Sequence, residues 1–412
     1  MSHVDDRWYR KVTAPDGTVA SERAGRHGKG MRYRARYLDP EGRERSRSFP
    51  DGRKKEAAAW ASDAEAEVRK GTWADPDAGR MTLRRFAEDV YLPAMTSNIT
   101  TQERVAGQLR KHILPPLGGK PLGYLSAHPS VIQAWVRGLK LAPSSARVVL
   151  AVLSAVMSAA CDDGLIPRNP CRGGKVRAPA RPGRLIVPWT AARTAAVRDG
   201  LIPRYRATVD AGAGLGLRQG EVFGLSPDDV DWLRGVVHVR RQVKIAGHRS
   251  CFAPPKGGKD RDVPLADFTQ LPLAAHVRDF PPAAVTLPWA DPSGDPVTVS
   301  LMFTTQRGGA LRRGDFDTHH WRPALDAAGV EHGALNGFHA LRHRFASVAL
   351  AAGADIRKLA TWLGHHDPGF TLRTYCHLMP EKGDRMRRAL DEAMRADSDG
   401  PETARETGEG LS

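Results

Sequence analysis

The stretch MRYRARY, residues 31–37, alternates apolar and charged positions, as a half-buried strand does. Met31, Tyr33, Ala35 and Tyr37 fall on one face, and Arg32, Arg34 and Arg36 on the other. LDPEGR follows as a turn, and RERSRSF alternates again as a second strand. AAAWASDAEAEVRKG reads as a helix with Gly71 just past its end. These predict a small β-ribbon-plus-helix domain over residues 1–79, with WADPDAGRMT as a linker. From about Thr82 the period becomes helical. LRRFAEDVYLPAM, TTQERVAGQLRKHILPPLG, HPSVIQAWVRGLK and PSSARVVLAVLSAVMSAACDDGLIPRNPC are candidate helices, broken at Pro115-Pro116-Leu117-Gly118, Pro129 and Pro143. The last is expected at the centre of an all-α domain over residues 80–175. GGKVRAPARPG, residues 173–183, lacks periodicity and reads as an extended basic linker. A mixed α/β domain is expected over 176–396 and a disordered polar tail over 397–412. The predicted class is multidomain α+β.

Composition narrows the function. With 412 residues the chain is too long for one ordinary domain. Its 41% hydrophobic and 26% charged residues are those of a globular protein. No run of ~20 apolar residues stands out as a membrane span, and MSHVDDRWYRK lacks the apolar core of a secretory signal. Cys161, Cys171, Cys251 and Cys376 form no CxxC pair, so reduced thiols and a cytoplasmic, nucleoid-associated protein are expected. The net charge of +16, rich in Arg, suits a polyanion. Nucleic acid is favoured over a membrane, because no basic amphipathic helix with a Trp/Phe/Leu face is present. A GC-rich genome, which favours Arg and Ala, is the alternative source of that charge. An ordinary solvated strand face is mixed in sign, whereas this one reads as all Arg. Arg32, Arg34, Arg36, Arg43, Arg45 and Arg47 are therefore candidate DNA contacts, on a ribbon able to enter a major groove or follow phosphates. Lys175 and Arg177 in the linker suit the same partner.

Candidate chemistry is confined to the third domain. GAGLGLRQGEVFGLSPDDVD places Arg218 and Glu221 at a helix start, among glycines (Gly214, Gly216, Gly220) that let backbone approach a ligand. VHVRRQVKIAGHRSCFAPPKGGKDRDVPL reads as strands with Lys256 at a hairpin. NGFHALRHRFASVALAAG is a helix bearing His339, Arg342, His343 and Arg344. LGHHDPGFTLRTYCHL contributes His365 and Tyr375. His339 and His343 are spaced as two metal ligands could be, but no carboxylate stands beside them as in HExxH, so no metal is expected. GxxxxGK[ST] is absent, which excludes a P-loop. The acids of SPDDVD read as a turn cap rather than a magnesium site.

Taken together these stretches resemble the tyrosine recombinases, or phage-type integrases, of the kind carried by actinobacterial phages. GLGLRQGEVFGL is similar to the first arginine box, PPKGGKDRDVPL to the lysine hairpin, HALRHRFAS to the His-x-x-Arg box and LGHHDPGFTLRTYCHL to the nucleophile box. Four boxes in order are specific, and the resemblance runs from about Met31 to Pro380. It departs at Ala340, where an acid is common, and Lys259 competes with Lys256.

The resemblance implies a catalytic domain of tyrosine recombinase type, working without metal, ATP or any other cofactor. Arg218 and Arg342 would clamp the non-bridging oxygens of a phosphodiester, since guanidinium is always charged and binds oxygens bidentately. Tyr375 would be the nucleophile, His339 its base, His365 a donor to phosphate and Lys256 the acid for the leaving 5′-oxygen. Glu221 would orient a guanidinium, and His343 and His366 would be bystanders. Also implied are a tetramer on double-stranded DNA, core-type and arm-type sites, and a helix after Tyr375 lent to a neighbouring protomer. An excisionase and a DNA-bending host protein are further possible partners, and no membrane is involved. Two rivals stand beside this expectation: a non-catalytic DNA-binding regulator, and a type IB topoisomerase-like enzyme.

Overall fold

A computed structural model describes residues 2–13, 19–71, 73, 78–180, 186–378, 387, 390–392 and 394–395. It divides into two compact units, Met1–Gly183 and Arg184–Ser412.

The first unit begins with strands β1 (His3–Asp6), β2 (Tyr9–Thr13), β3 (Val19–Arg23), β4 (Tyr33–Leu38) and β5 (Glu44–Phe49). β4 and β5 are the expected ribbon. β1 adds to its edge in antiparallel register, giving the order β1-β4-β5, and β2 pairs with β3 as a separate hairpin. Neither β1 nor this hairpin was visible in the sequence, because HVDD and YRKVT carry too little alternation. The turn forms as LDPEGR requires: Asp39 accepts from the Arg43 and Glu41 amides at 2.8 and 3.1 Å, and Gly42 takes a positive φ of 77°. Tyr33, Ala35 and Phe49 bury against Ala57 and Ala61 of the Lys54–Arg69 helix.

The Arg-bearing face is not all cationic. β1 brings Asp5 within 2.6 Å of Arg36, which also pairs with Glu44 at 2.8 Å. Arg32 is held by Asp6 and Asp51. Arg34 donates to Ser46 at 2.9 Å. The register sets Arg45 opposite Tyr37 and Arg47 opposite Ala35, so these two share the apolar face rather than the Arg34 face. Arg45 binds Asp39, Arg47 lies over Phe49 at 5.3 Å, and Arg43 pairs with Glu41.

The helices follow: Leu83–Phe86 with its continuation Ala87–Tyr91, Ile99–Gln108 continuing through Leu109–Ile113 to Leu114–Leu117, Leu122–Ala127, Pro129–Gly138 and Pro143–Asp162. Leu122–Ala127 was not anticipated. Pro115 and Pro116 stand at the first positions of the Leu114–Leu117 segment, where a missing amide hydrogen is tolerated, and the helical path continues through them to Leu117. By length and composition Pro143–Asp162 could cross a membrane, contrary to the expectation that no such run exists. Its apolar stripe is spent elsewhere: Ala146, Val149, Leu153, Val156, Met157 and Ala160 are buried in the core of this unit. The basic stretch is anchored as far as residue 180. Val176 is buried, the Arg177 amide donates to Gln133 at 2.6 Å and Arg147 donates to the Pro179 carbonyl, while Lys175 and the rest of Arg177 are exposed.

The second unit packs the Pro203–Leu215 helix against the His339–Ala351 and Asp267–Asp279 helices. Its strands are β6 (Val230–Asp231), β7 (Val236–Val239), β8 (Gln242–Ala246), β9 (Arg249–Ala253), β10 (Arg261–Pro264), β11 (Ala283–Pro288) and β12 (Pro296–Leu301). They form three small antiparallel sheets, in the orders β10-β7-β6, β8-β9 and β11-β12. The proline-rich 266–300 region, unassigned from sequence, supplies the Asp267–Asp279 helix and the β11–β12 hairpin. The expected tail and most of the expected helix after Tyr375 lie outside the described residues.

Candidate active site

The site is built around one helix end. The Ile356–Leu363 helix stops at Gly364, whose φ of 61° is left-handed. Its last carbonyls have no partner within the helix. Three arginines supply one: Arg261 donates to Trp362 at 2.7 Å, Arg342 to Leu363, and Arg218 to Gly364 at 3.2 Å. Cations at a helix C-terminus are also favoured by its dipole.

Each arginine arrives differently. Arg218 caps the N-terminus of the Gln219–Phe223 helix. Its guanidinium donates to Glu221 at 2.9 Å, and Glu221 returns an acceptor to the Arg218 amide. Arg342 sits on the His339–Ala351 helix, fully buried, and also donates to the Gly216 carbonyl at 2.8 Å, while its Nε finds no acceptor. Gly216 has a φ of 64°, and a side chain there would run into Phe345. The glycines on either side of Arg218 thus serve internal packing: a Cβ at Gly214 would strike Thr269, and one at Gly220 the Val243 carbonyl.

Sequence reasoning missed Arg261. It opens β10, is 8% exposed and binds Glu221 through both Nη atoms at 3.1 and 2.6 Å. The signal was present, since Arg261 alternates with Val263 and Leu265 on the inward face, where an unpaired Arg is not tolerated. Burial would raise the Glu221 carboxyl, but Arg261 and Arg218 hold it below the usual carboxylate range. Burial, then the Arg218 charge, pushes Arg342 down to about 9, which leaves it charged at neutral pH.

The histidines surround this cluster. His365 Nδ1 lies 2.6 Å from Thr371 Oγ1. Burial, then Arg342 and Arg218, pushes it down to about 3. His339 is pushed down to about 4 by loss of water, then by His343, Arg342 and Arg218, although the residue itself is exposed. Tyr375 closes the Pro368–Tyr375 helix and is 1% exposed. Burial raises its hydroxyl to about 12, against the pull of Arg342. Its hydrogen-bond partner is His343, whose Nδ1 lies 2.8 Å from the phenolic oxygen. The residue read as a bystander is therefore the one on the tyrosine, and the His339 ring meets His343 edge-on at 4.8 Å.

Lys256 is exposed in the loop leaving β9, as is Lys259. This loop is not the expected hairpin. β9 pairs with β8, and β10 pairs with β7 through Val263–Val237 and Arg261–Val239, so the loop joins two sheets. Beside Arg218 and His339 opens a cleft of 980 Å³ whose wall adds Lys244, Arg312, Arg313 and Arg322, cations not singled out from sequence. The SPDDVD acids cap a turn, with Asp229 accepting from the Ser226 amide and from Arg241. Among the described residues no cluster of three metal-ligating side chains occurs.

Clustered guanidiniums, three histidines and a tyrosine are groups able to handle a phosphodiester. Residues 201–382, which hold all of these groups, match the phage integrase family. Beyond this stretch, most of the chain is similar to named integrases. Its relatives include a putative prophage phiRv2 integrase of Mycobacterium tuberculosis, 26% identical over 354 residues, covering 83% of this chain and 88% of the relative. The integrase of Mycobacterium phage L5 is 25% identical over 369 residues, covering 87% and 92%. Among solved structures, the Tn1549 transposon integrase bound to a circular intermediate DNA has a TM-score of 0.60 at 19% identity, covering 76% of this chain and 99% of that chain. A lambda integrase dimer bound to a COC′ core site has a TM-score of 0.55 at 18% identity, covering 85% and 93%. At these identities the structures establish a shared fold.

Proposed function

We propose that this chain is a site-specific DNA recombinase that cuts and rejoins strands through a 3′-phosphotyrosyl bond at Tyr375. The observation that carries the reading is the convergence of Arg218 and Arg342 on adjacent carbonyls, Gly364 and Leu363, next to His365. With Arg261 they set three guanidiniums against one carboxylate, Glu221, which leaves the surplus positive charge that a pentacoordinate phosphorane needs. Arg218 and Arg342 clamp the non-bridging oxygens, His339 is the expected base for the tyrosine, His365 donates to a phosphate oxygen, and Lys256 protonates the leaving 5′-oxygen from its exposed loop. Glu221 and Arg261 position the clamp. The bond energy stays in the phosphotyrosine, so a different 5′-hydroxyl reseals the strand without ATP or metal.

In this reading residues 1–79 bind arm-type DNA, 80–175 and the basic stretch with Lys175 and Arg177 hold core DNA, and 176–396 carry catalysis. Two core sites assemble a homotetramer, with an excisionase and a DNA-bending protein as candidate helpers. The Tn1549 and lambda integrases were solved bound to DNA, which supports the partner.

The test is covalent trapping. Nicked attachment-site DNA, which loses a short fragment on cleavage, is mixed with wild type and with Tyr375→Phe and run on denaturing gels. A slow protein–DNA band from wild type alone is expected. No band from either, on DNA the protein binds, would favour the regulator reading.

A further inference from the structure

The contact between His343 and Tyr375 has no place in the roles assigned above. We infer that His343, through Nδ1, is the base that accepts the Tyr375 proton when the phenolic oxygen attacks phosphorus. The inference rests on the recombinase reading and replaces His339 in that one role.

Geometry comes first. Nδ1 lies 2.8 Å from Oη, within reach for direct transfer. The two residues stand on different elements, the His339–Ala351 and Pro368–Tyr375 helices, 32 positions apart, so the contact comes from the tertiary fold and not from local spacing. Tyr375 is buried, and a buried hydroxyl needs an acceptor. His339 meets the His343 ring edge-on, on the same helix.

Protonation states fix the direction of the bond. His343 is pushed down to about 4 by burial and then by Arg342, so it is neutral at physiological pH. The tyrosine, raised to about 12, keeps its proton. Oη–H therefore donates, Nδ1 accepts, and the ring carries its own proton on Nε2. The charged or titratable groups acting on this pair are Arg342 and His339. A weak acid bonded to a weak base holds the proton on oxygen until attack begins. As the Oη–P bond forms, the phenolic O–H becomes strongly acidic and its proton passes to Nδ1. The P–O5′ bond breaks, and the leaving oxygen takes a proton from the acid on the other side. On rejoining, the 5′-hydroxyl attacks, its proton returns to that acid, and His343 hands its proton back to the departing phenol. Protons and charge balance over the cycle with no co-reactant.

The experiment is the pH dependence of single-turnover adduct formation on nicked DNA, for wild type, His343→Asn and His339→Asn. Asparagine can still accept the hydrogen bond through Oδ1 but cannot carry the proton. His343→Asn should bind DNA as wild type does and form adduct about 10²–10⁴-fold more slowly at neutral pH. Its rate should rise about tenfold per pH unit, as it comes to depend on pre-formed phenolate, while wild type and His339→Asn stay flat across the same range. Fluorotyrosine at position 375, a more acidic phenol, should rescue His343→Asn more than wild type. A flat His343→Asn profile within about twofold of wild type, or a rising profile in His339→Asn instead, overturns the inference. If His343→Asn does not bind DNA, ¹⁵N-histidine NMR of the wild-type protein decides. A proton on Nε2 of neutral His343 is expected, and a proton on Nδ1 overturns it. Wild type giving no adduct on bound DNA would instead defeat the recombinase reading.

Discussion

Two arginine clusters in this chain look alike as sequence and differ as structure. On the N-terminal ribbon, Arg32 and Arg36 each meet two carboxylates, so their charge is largely matched within the chain. In the second unit, Arg218 and Arg261 share one carboxylate, Glu221, and all three of Arg218, Arg261 and Arg342 bind carbonyl oxygens. Carbonyls hold a guanidinium in place without cancelling its charge. Counting arginines therefore says how basic a segment is, whereas their partners say how much of that charge a phosphate can use.

The comparison can be tested from its strongest consequence downward. Arg342→Lys keeps a cation but loses the fork that spans Gly216 and Leu363. Single-turnover cleavage should fall about 10²–10³-fold with DNA affinity little changed in a gel-shift titration. If Arg342→Lys cleaves normally, charge matters and the fork does not. Arg261→Met leaves Glu221 buried with one partner in place of two. Unfolding in urea should show a loss of about 3–5 kcal/mol in the second unit. A loss below about 1 kcal/mol would put this pair in the class of the exposed ribbon pairs.

Acid should separate the units as well. His339, His343 and His365 are held below their ordinary value in the fold, at about 4, 4 and 3, while the unfolded chain takes up protons near the usual histidine pKa of about 6.5. Their contribution to stability is complete above that pH and is lost as pH falls from there toward 4. Calorimetry should show the melting of the second unit dropping first. Equal drops in both units would mean that these histidines do not govern it. The smallest effect belongs to the ribbon. Arg36→Ala, with its charge already matched, should alter the salt dependence of arm-DNA binding less than Arg34→Ala, which should lower the slope of log K against log salt by about 1. Equal slopes would mean that the Asp5 and Glu44 pairs open on DNA.

Much of the catalytic unit was legible because its chemistry is written in short boxes. Arg218, Glu221, Arg342, His365 and Tyr375 all lie in the cluster that the boxes led us to expect. The strand and helix periods of the first unit were equally plain. What was hidden depended on partners distant in sequence. Arg261 matters through Glu221, 40 positions earlier, and His343 through Tyr375, 32 positions later. The all-cationic ribbon face was misread for the same reason, since Asp5 reaches it from a strand with no legible alternation.

The arginine-capped helix end has a consequence for genetics. Arg218 and Arg342 close off the carbonyls of the Ile356–Leu363 helix, and in the proposed reaction they also clamp the phosphate. A random search for inactive mutants will therefore gather substitutions at these positions for two unrelated reasons, a helix that frays and a reaction that stalls. Sorting such a collection by retained DNA binding before assaying recombination separates them. A dominant-negative allele at either position, able to enter an assembly with wild-type protomers and poison it, would mark a stalled reaction in a folded protein.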